Sequence, residues 1–175
     1  MNLTIRQEMP GDYSRTEIVV RKAFAKLEVS DQDEHNLVAR IRSADSFIPE
    51  LSLVAELNDE IVGHVLLSGI TIRYGEEESV SLALAPVSVH PEYQDRGIGS
   101  KLIREALQRA EALEYPSVIV LGHPEYYPKF GFEKASKWGI RAPFEVSDDV
   151  FMALELKKNS LKSGVVEYPS VFFSG

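Results

Sequence analysis

The sequence predicts a mixed α/β (α+β) fold around one mostly antiparallel sheet, and three observations carry that expectation. First, Val, Ile and Leu crowd into the runs 51–57, 61–72 and 80–89, with Asn58-Asp59 and Tyr74-Gly75-Glu76-Glu77-Glu78 between them as turn material. This is the pattern of a hairpin extended by a third antiparallel strand. Second, Ile98, Leu102, Ile103, Ala106, Leu107, Ala110 and Leu113 recur at helical spacing, with Lys101, Arg104, Glu105, Gln108 and Arg109 on the opposite side. Third, Ser117 to Leu121 is a short apolar run of the kind buried on both faces of a sheet. Strand, helix and strand in that order form a right-handed crossover, which makes 80–89 and 117–121 parallel neighbours.

The remaining elements follow in order. Leu3 and Ile5 alternate with polar residues as in a strand, and Pro10-Gly11-Asp12 breaks it and offers a helix cap. Ile18, Val19, Ala23, Phe24 and Leu27 mark a first helix; Ser30 and Asp31 offer caps for a second, which carries Leu37, Val38 and Ile41. Residues 44–50 read as a loop, and Gly63 marks a bulge. The pairs Lys101 with Glu105 and Glu105 with Arg109 lie four apart and support the long helix on its wet side. Val150 to Leu156 supplies a late strand, 157–164 a polar turn, and the apolar ending 165–173 needs a docking place.

At 175 residues with 44% hydrophobic content, the chain is expected to form a single domain over 1–175, with a core of about 1–158 and a C-terminal extension over 159–175. Its net charge of -8 argues against a nucleic-acid partner and suits a small or cationic one. The absence of Cys rules out disulfides, thiolate zinc sites and a Cys nucleophile. With no basic leader and no apolar stretch long enough for a bilayer, the cytoplasm is the expected location and no membrane partner is expected. There is neither a His-Glu-x-x-His pair for a metal nor a Gly-x-Ser-x-Gly elbow for a reactive serine.

The segment Gln94-Asp95-Arg96-Gly97-Ile98-Gly99-Ser100 leads into the clearest helix. A helix N-terminus offers unpaired N–H groups and about half a positive charge, both favourable to an anion such as a pyrophosphate. Gly97 and Gly99 let the backbone approach a ligand, Ser100 adds a hydroxyl and Arg96 a full charge. Gly-x-Gly at a helix start would look the same in an empty tight turn, so context decides. The dinucleotide fingerprint fails because Leu102 stands where its third glycine belongs, and the Walker pattern fails because the chain reads Gly99-Ser100-Lys101.

The run Val87-Ser88-Val89-His90-Pro91-Glu92-Tyr93-Gln94-Asp95-Arg96-Gly97-Ile98-Gly99 resembles the signature of the GNAT superfamily of N-acetyltransferases: Gln or Arg, two residues, Gly, one residue, Gly or Ala. Tyr126-Tyr127-Pro128-Lys129-Phe130-Gly131-Phe132 resembles the family's later motif of Tyr, three residues, Gly, Phe. Leu121-Gly122-His123-Pro124 and Ala153-Leu154-Glu155-Leu156 look like one bacterial subgroup of predicted acetyltransferases. The resemblance covers nearly the whole chain. It implies helices on both faces of the sheet and a V-shaped split between two parallel central strands. It also implies acetyl-coenzyme A as co-substrate, no metal, and an amine of a small molecule or peptide as acceptor.

Pro86 lies inside a strand, where a missing N–H fits a bulge or free edge. A strand interrupted there admits a pantetheine arm along Val87 and Val89, and the Val89 N–H is placed to polarise the thioester carbonyl. The cofactor-binding candidates are therefore Val87, Ser88, Val89, Gln94, Asp95, Arg96, Gly97, Gly99 and Ser100. Tyr127 is the candidate acid for the departing thiolate, preferred to Tyr126 because it alone keeps the family spacing to Gly131-Phe132. No base stands out: His90 and His123 near strand ends read as structural, and Ser88 or an ordered water is a candidate relay. Glu28, Asp31, Asp33 and Glu34 fit either attraction of a cationic amine or compensation of a helix dipole. A coenzyme A sensor without catalysis, a transferase of another acyl group and a nucleotide-dependent oxidoreductase stay open as alternatives. The apolar ending is compatible with a homodimer that shares a strand.

Overall fold

The computed structural model describes residues 2–25 and 33–173. In chain order they form β1 (Leu3–Gln7), α1 (Tyr13–Phe24), α2 (Glu34–Arg42), β2 (Ser52–Leu57), β3 (Glu60–Tyr74), β4 (Glu77–Val89), α3 (Ile98–Ala112), β5 (Ser117–Leu121), β6 (Glu133–Lys134), β7 (Ile140–Arg141), β8 (Phe151–Glu155) and β9 (Gly164–Glu167). The result is a mixed, mostly antiparallel open sheet with three α-helices among the described residues. None of these helices is long and apolar enough to cross a membrane. The expected caps Ser30 and Asp31 and the helix position Leu27 lie outside the described residues. The fold divides into two compact units, Met1–Ser68 with Ala85–Arg109 and Ser170–Gly175, and Gly69–Leu84 with Ala110–Pro169.

In the first unit β1 runs antiparallel to β2, from Leu3 opposite Leu57 to Gln7 opposite Leu53. β2 runs antiparallel to β3 through a two-residue turn in which Asn58 and Asp59 take φ 52° and 66°. Two successive positive φ values define the turn whose twist matches a hairpin, and Asn and Asp tolerate them best. The register slips by one residue between Ala55 and Glu56, so the bulge expected at Gly63 is present and Val62 is the extra residue. Gly63 has a packing reason as well. A Cβ there would lie 3.0 Å from Leu102 Cδ1 and 3.1 Å from the Ser88 carbonyl oxygen, so the glycine lets α3 settle onto the strand.

Helices cover both faces of this unit. Along α3, Ile98, Leu102, Ile103 and Ala106 are buried, and Ile98 and Leu102 lie against Gly63. The opposite side of β3 carries Leu66, packed with Val20 of α1 and Val38 and Ile41 of α2. Val171 and Phe172, in a single 3-10 turn at Ser170–Phe172, close the same cluster, and Arg40 Nε donates to the Val171 carbonyl at 2.9 Å. The apolar ending thus docks within its own chain. Two helix assignments need correction at their edges. Ile18 is exposed, so Val20 takes its place in the core of α1, and Leu113 is exposed beyond the end of α3. Of the two expected pairs along α3, Glu105 with Arg109 is formed at 3.1 Å.

Asp12 stands at the N-cap of α1 but its side chain does not cap that helix. It accepts from Met9 N–H at 2.9 Å, from Arg6 at 2.7 and 3.1 Å and from Arg15 at 2.7 Å. The hydrogen bond from Arg6 leads the causes that lower its pKa from 3.8 to about 2. A depressed carboxylate stabilises the fold fully above its unfolded value and loses that contribution as pH falls through its folded one. Acid unfolding of the parent is therefore expected to include a component of up to about 2 kcal/mol between pH 4 and pH 2. The variant Asp12→Asn, compared by circular dichroism over the same range, should lack it.

In the second unit β4 and β5 are parallel neighbours, as the crossover argument requires, but their ladder covers only Leu82 opposite Val118 and Ala83 opposite Ile119. The Ser81 and Ser117 hydroxyls, both buried, share a hydrogen bond of 2.8 Å beside it. β5 runs antiparallel to β8 along all five residues, from Ser117 opposite Glu155 to Leu121 opposite Phe151, and β6 pairs with β8 on its other side. β9 pairs antiparallel with Thr71–Arg73 of β3 and parallel with β7. The two-residue strands β6 and β7 have no periodicity to reveal them in sequence.

Candidate functional site

The Gly-rich turn gives α3 its start. The Gly97 carbonyl accepts the first intrahelical bond, from Lys101 N–H at 3.1 Å, which leaves the Ile98 and Gly99 N–H groups without a carbonyl in α3 to bond. Asp95 and Gly97 both take positive φ, 64° and 78°, and the space beyond Gly97 is open: a Cβ there would meet nothing within 4 Å. The approach is held from outside the turn. Gln94 Nε2 donates to the Val89 carbonyl at 3.2 Å, Arg96 lies 5.3 Å from the centre of the Tyr93 ring, and His90 packs edge-on against that ring at 5.8 Å. His90 Nδ1 accepts from Glu92 N–H at 3.1 Å, so this histidine organises the Pro91–Tyr93 turn.

The adjoining end of β4 carries Val87, Ser88 and Val89. His90 N–H donates to the Val62 carbonyl of β3 at 2.8 Å. Because amides alternate direction along a strand, the Val87 and Val89 N–H groups point to the other edge of β4. Ser88 is turned inward and buried, and its hydroxyl has no partner among the described protein atoms. The structure thus brings together, in one unit, Gln94, Asp95, Arg96, Gly97, Gly99 and Ser100 at the head of α3 and Val87, Ser88 and Val89 on the strand that feeds it.

Tyr127 belongs to the second unit, where it opens a 3-10 turn over Tyr127–Phe130 that ends at Gly131 with φ 102°. Its ring lies edge-on to Tyr126 at 5.1 Å and to Phe132 at 5.8 Å. Gly122 makes room for it, since a Cβ at 122 would fall within van der Waals overlap of the Tyr127 ring, 2.9 Å from its Cδ2. Burial, with a smaller contribution from Tyr126, pushes the Tyr127 phenol up from 10.0 to about 12. The phenol keeps its proton throughout neutral pH. His123 Nδ1 accepts from Glu125 N–H at 3.4 Å in the preceding turn.

Of the early acidic residues, Glu28 and Asp31 lie outside the described residues. Asp33 accepts from Asn36 at 2.8 Å and from Arg40 at 3.0 Å, and these bonds hold its carboxyl below the usual range. Glu34 opens α2. Among the described residues, no group of three His, Asp or Glu is placed to hold a metal ion.

The sequence reading missed a buried polar chain in the first unit. Ser52 Oγ donates to Glu8 Oε1 at 2.8 Å and lies 2.9 Å from His64 Nε2. Arg42 donates to Glu8 Oε2 at 2.6 Å and to Glu17 Oε2 at 2.8 Å, and its guanidinium lies 4.0 Å from the centre of the Tyr13 ring. The Glu8 and His64 side chains are completely buried. His64 sits in an apolar β3 run and Glu8 follows β1, so only the register of three strands unites them; a histidine in the middle of such a run was the available signal.

Known proteins place these features in context. The profile of the Acetyltransferase (GNAT) domain matches residues 49–134. The Uncharacterized N-acetyltransferase YjhQ of Escherichia coli K12 is 37% identical over 117 residues, 66% of this chain and 65% of that protein. A crystal structure of a GNAT family acetyltransferase from Brucella melitensis in complex with acetyl-CoA is 32% identical and superposes with a TM-score of 0.82, covering 98% of each chain. The E. coli GNAT family N-acetyltransferase YhbS in complex with CoA is 26% identical, with a TM-score of 0.87 over 98% of this chain and 92% of that one.

Proposed function

Since this chain belongs to the GNAT family of acyltransferases, we propose that it takes an acetyl group from acetyl-coenzyme A and passes it to an amine of a small molecule or peptide, by direct attack in a ternary complex. The observation that carries the reading is the head of α3, where the Ile98 and Gly99 amides have no carbonyl of the helix to bond and the space before Gly97 is open. A pyrophosphate bound there gains the helix dipole and several N–H donors at once. The Brucella and E. coli structures hold acetyl-CoA and CoA, which supports the same choice of ligand.

In this reading the pantetheine amides pair with Val87 and Val89, and the Val89 N–H receives the oxyanion as the amine adds to the thioester carbon. Tyr127 is the proposed donor to the departing sulfur. Full proton transfer from a phenol at about 12 to a thiolate whose thiol has a pKa near 8.5 is uphill by about 5 kcal/mol. Tyr127 therefore acts chiefly as a hydrogen-bond donor to the sulfur while its charge develops.

The test uses acetyl-coenzyme A with a panel of polyamines, amino acids, aminoglycosides and peptide N-termini. Because the chain contains no Cys, every thiol released belongs to the coenzyme. Tyr127→Phe is expected to bind coenzyme A as the parent does, by calorimetry, and to lose about 10- to 100-fold in kcat. Equal turnover removes Tyr127 from the mechanism. Coenzyme A binding by the parent without acetylation of any amine in the panel would favour the sensor reading.

A further inference from the structure

Resting on the acetyltransferase reading, we propose that Gly122 is a positioning residue: its bare backbone is the seat that sets where the Tyr127 hydroxyl stands, so a side chain at 122 costs turnover through Tyr127 alone. The ring meets Gly122 along the edge that carries the hydroxyl. A Cβ at 122 would lie 3.2 Å from Tyr127 Cζ, 2.9 Å from Cδ2 and closer still to Cε2. Ordinary carbon contacts are about 3.5–4.0 Å, so the ring and that Cβ would have to part by on the order of 1 Å.

The backbone itself has no need of glycine here. Positive φ occurs at Gly75, Gly97, Gly131, Gly139 and Gly164, and Gly122 is not among them. Alanine is free to adopt such a backbone, and the three atoms nearest to its Cβ would all belong to the Tyr127 ring. The glycine therefore answers to the ring and not to a turn. The sequence singled out Leu121-Gly122-His123-Pro124 as a motif, and the ring gives its second residue a purpose.

Both partners are anchored. Gly122 N–H donates to the Val150 carbonyl at 2.9 Å, one residue beyond the last rung of the β5–β8 ladder at Leu121 and Phe151. Tyr126 N–H and Tyr127 N–H donate to the His123 carbonyl at 3.1 and 3.3 Å, so seat and ring belong to one hydrogen-bonded turn. Around the ring stand Tyr126 at 5.1 Å, Phe130 at 6.2 Å and the buried Phe132 at 5.8 Å. The hydroxyl has no tether of its own: burial and Tyr126 raise its pKa, and no hydrogen bond from a described residue contributes. Packing of the ring thus decides where the O–H points. A hydrogen bond to sulfur weakens steeply when its donor is misplaced, and an error of about 1 Å can cost about 100-fold in rate.

The test is a cycle of four full-length chains: the parent, Gly122→Ala, Tyr127→Phe and the double variant, with acetyl-coenzyme A and with spermidine and tyramine as probe amines. Gly122→Ala is expected to lose about 10-fold or more in kcat, with KM for acetyl-coenzyme A within about 2-fold of the parent. In the Tyr127→Phe background, where no hydroxyl remains to misplace, the same change should lower kcat by less than about 2-fold. An equal loss in both backgrounds overturns the proposal, because damage to the fold is indifferent to the hydroxyl; so does no loss in the parent. In chains labelled with 13C at tyrosine Cζ, the NMR signal absent from Tyr127→Phe should move in Gly122→Ala, and an unmoved signal overturns the proposal as well. Should Gly122→Ala fold poorly, urea unfolding decides. Tyr127→Ala removes the ring, so Gly122→Ala should lower the urea midpoint of the parent and leave that of Tyr127→Ala unchanged; an equal fall in both means that the Cβ meets something else, and the seat is lost. If the parent acetylates neither probe, the NMR and unfolding results decide for the seat. Failure of the parent to bind coenzyme A would instead sink the acetyltransferase reading and leave those two results standing.

Discussion

Gly97→Glu is expected to weaken coenzyme A binding by at least about 100-fold, or about 2.7 kcal/mol. Two independent effects combine. Gly97 has φ 78°, where a side chain costs about 1–2 kcal/mol of backbone strain. A carboxylate about 5 Å from a phosphate adds roughly 3 kcal/mol of repulsion at the effective dielectric of a protein surface. The space around a Cβ at 97 is open, so the fold itself has no steric reason to fail. Gly97→Ala separates the two contributions, because it carries the strain without the charge and should lose no more than about 10-fold. Calorimetry with coenzyme A measures both, and a Gly97→Glu chain that binds as tightly as the parent would move the phosphate site away from α3.

Arg42→Met is expected to destabilise the fold by about 3–5 kcal/mol in urea unfolding, because it strips the cation from a completely buried Glu8. The hydrocarbon replaces most of the packing against Tyr13 but leaves the carboxylate with Ser52 alone. Adding Glu8→Gln to Arg42→Met should recover more than half of that loss, since a neutral amide has much less to lose by burial. Simple additivity of the two single losses would mean that Glu8 and Arg42 do not act as a pair.

What the sequence made readable was whatever repeats. The 3.6-residue stripe of α3, the apolar runs of β2 to β5 and the Asn58-Asp59 turn each leave a local mark, and each element lies within a few residues of its expected place. The head of α3 was readable for the same reason, since glycines at a helix start are local chemistry. The docking of the chain's end was not. Val171 and Phe172 lie about 130 residues from the Val38 and Arg40 that receive them, and nothing near either segment encodes the meeting. Long-range register also hid the buried polar chain. His64, Ser52 and Glu8 come from separate elements, and a one-residue slip in either pairing would have turned one of them to the other face. The bulge at Val62 makes the same point, because Gly63 suggests an irregularity without saying which neighbour is displaced.

That glycine has a reach beyond its own strand. Leu102 and Ile98 rest on the spot where its side chain would stand, so the head of α3 owes its height above the sheet to an atom that is missing far earlier in the chain. Any population of variants selected for grip on the coenzyme should consequently yield changes at 63, and they would act as a shim under the helix, tilting a binding surface they never reach.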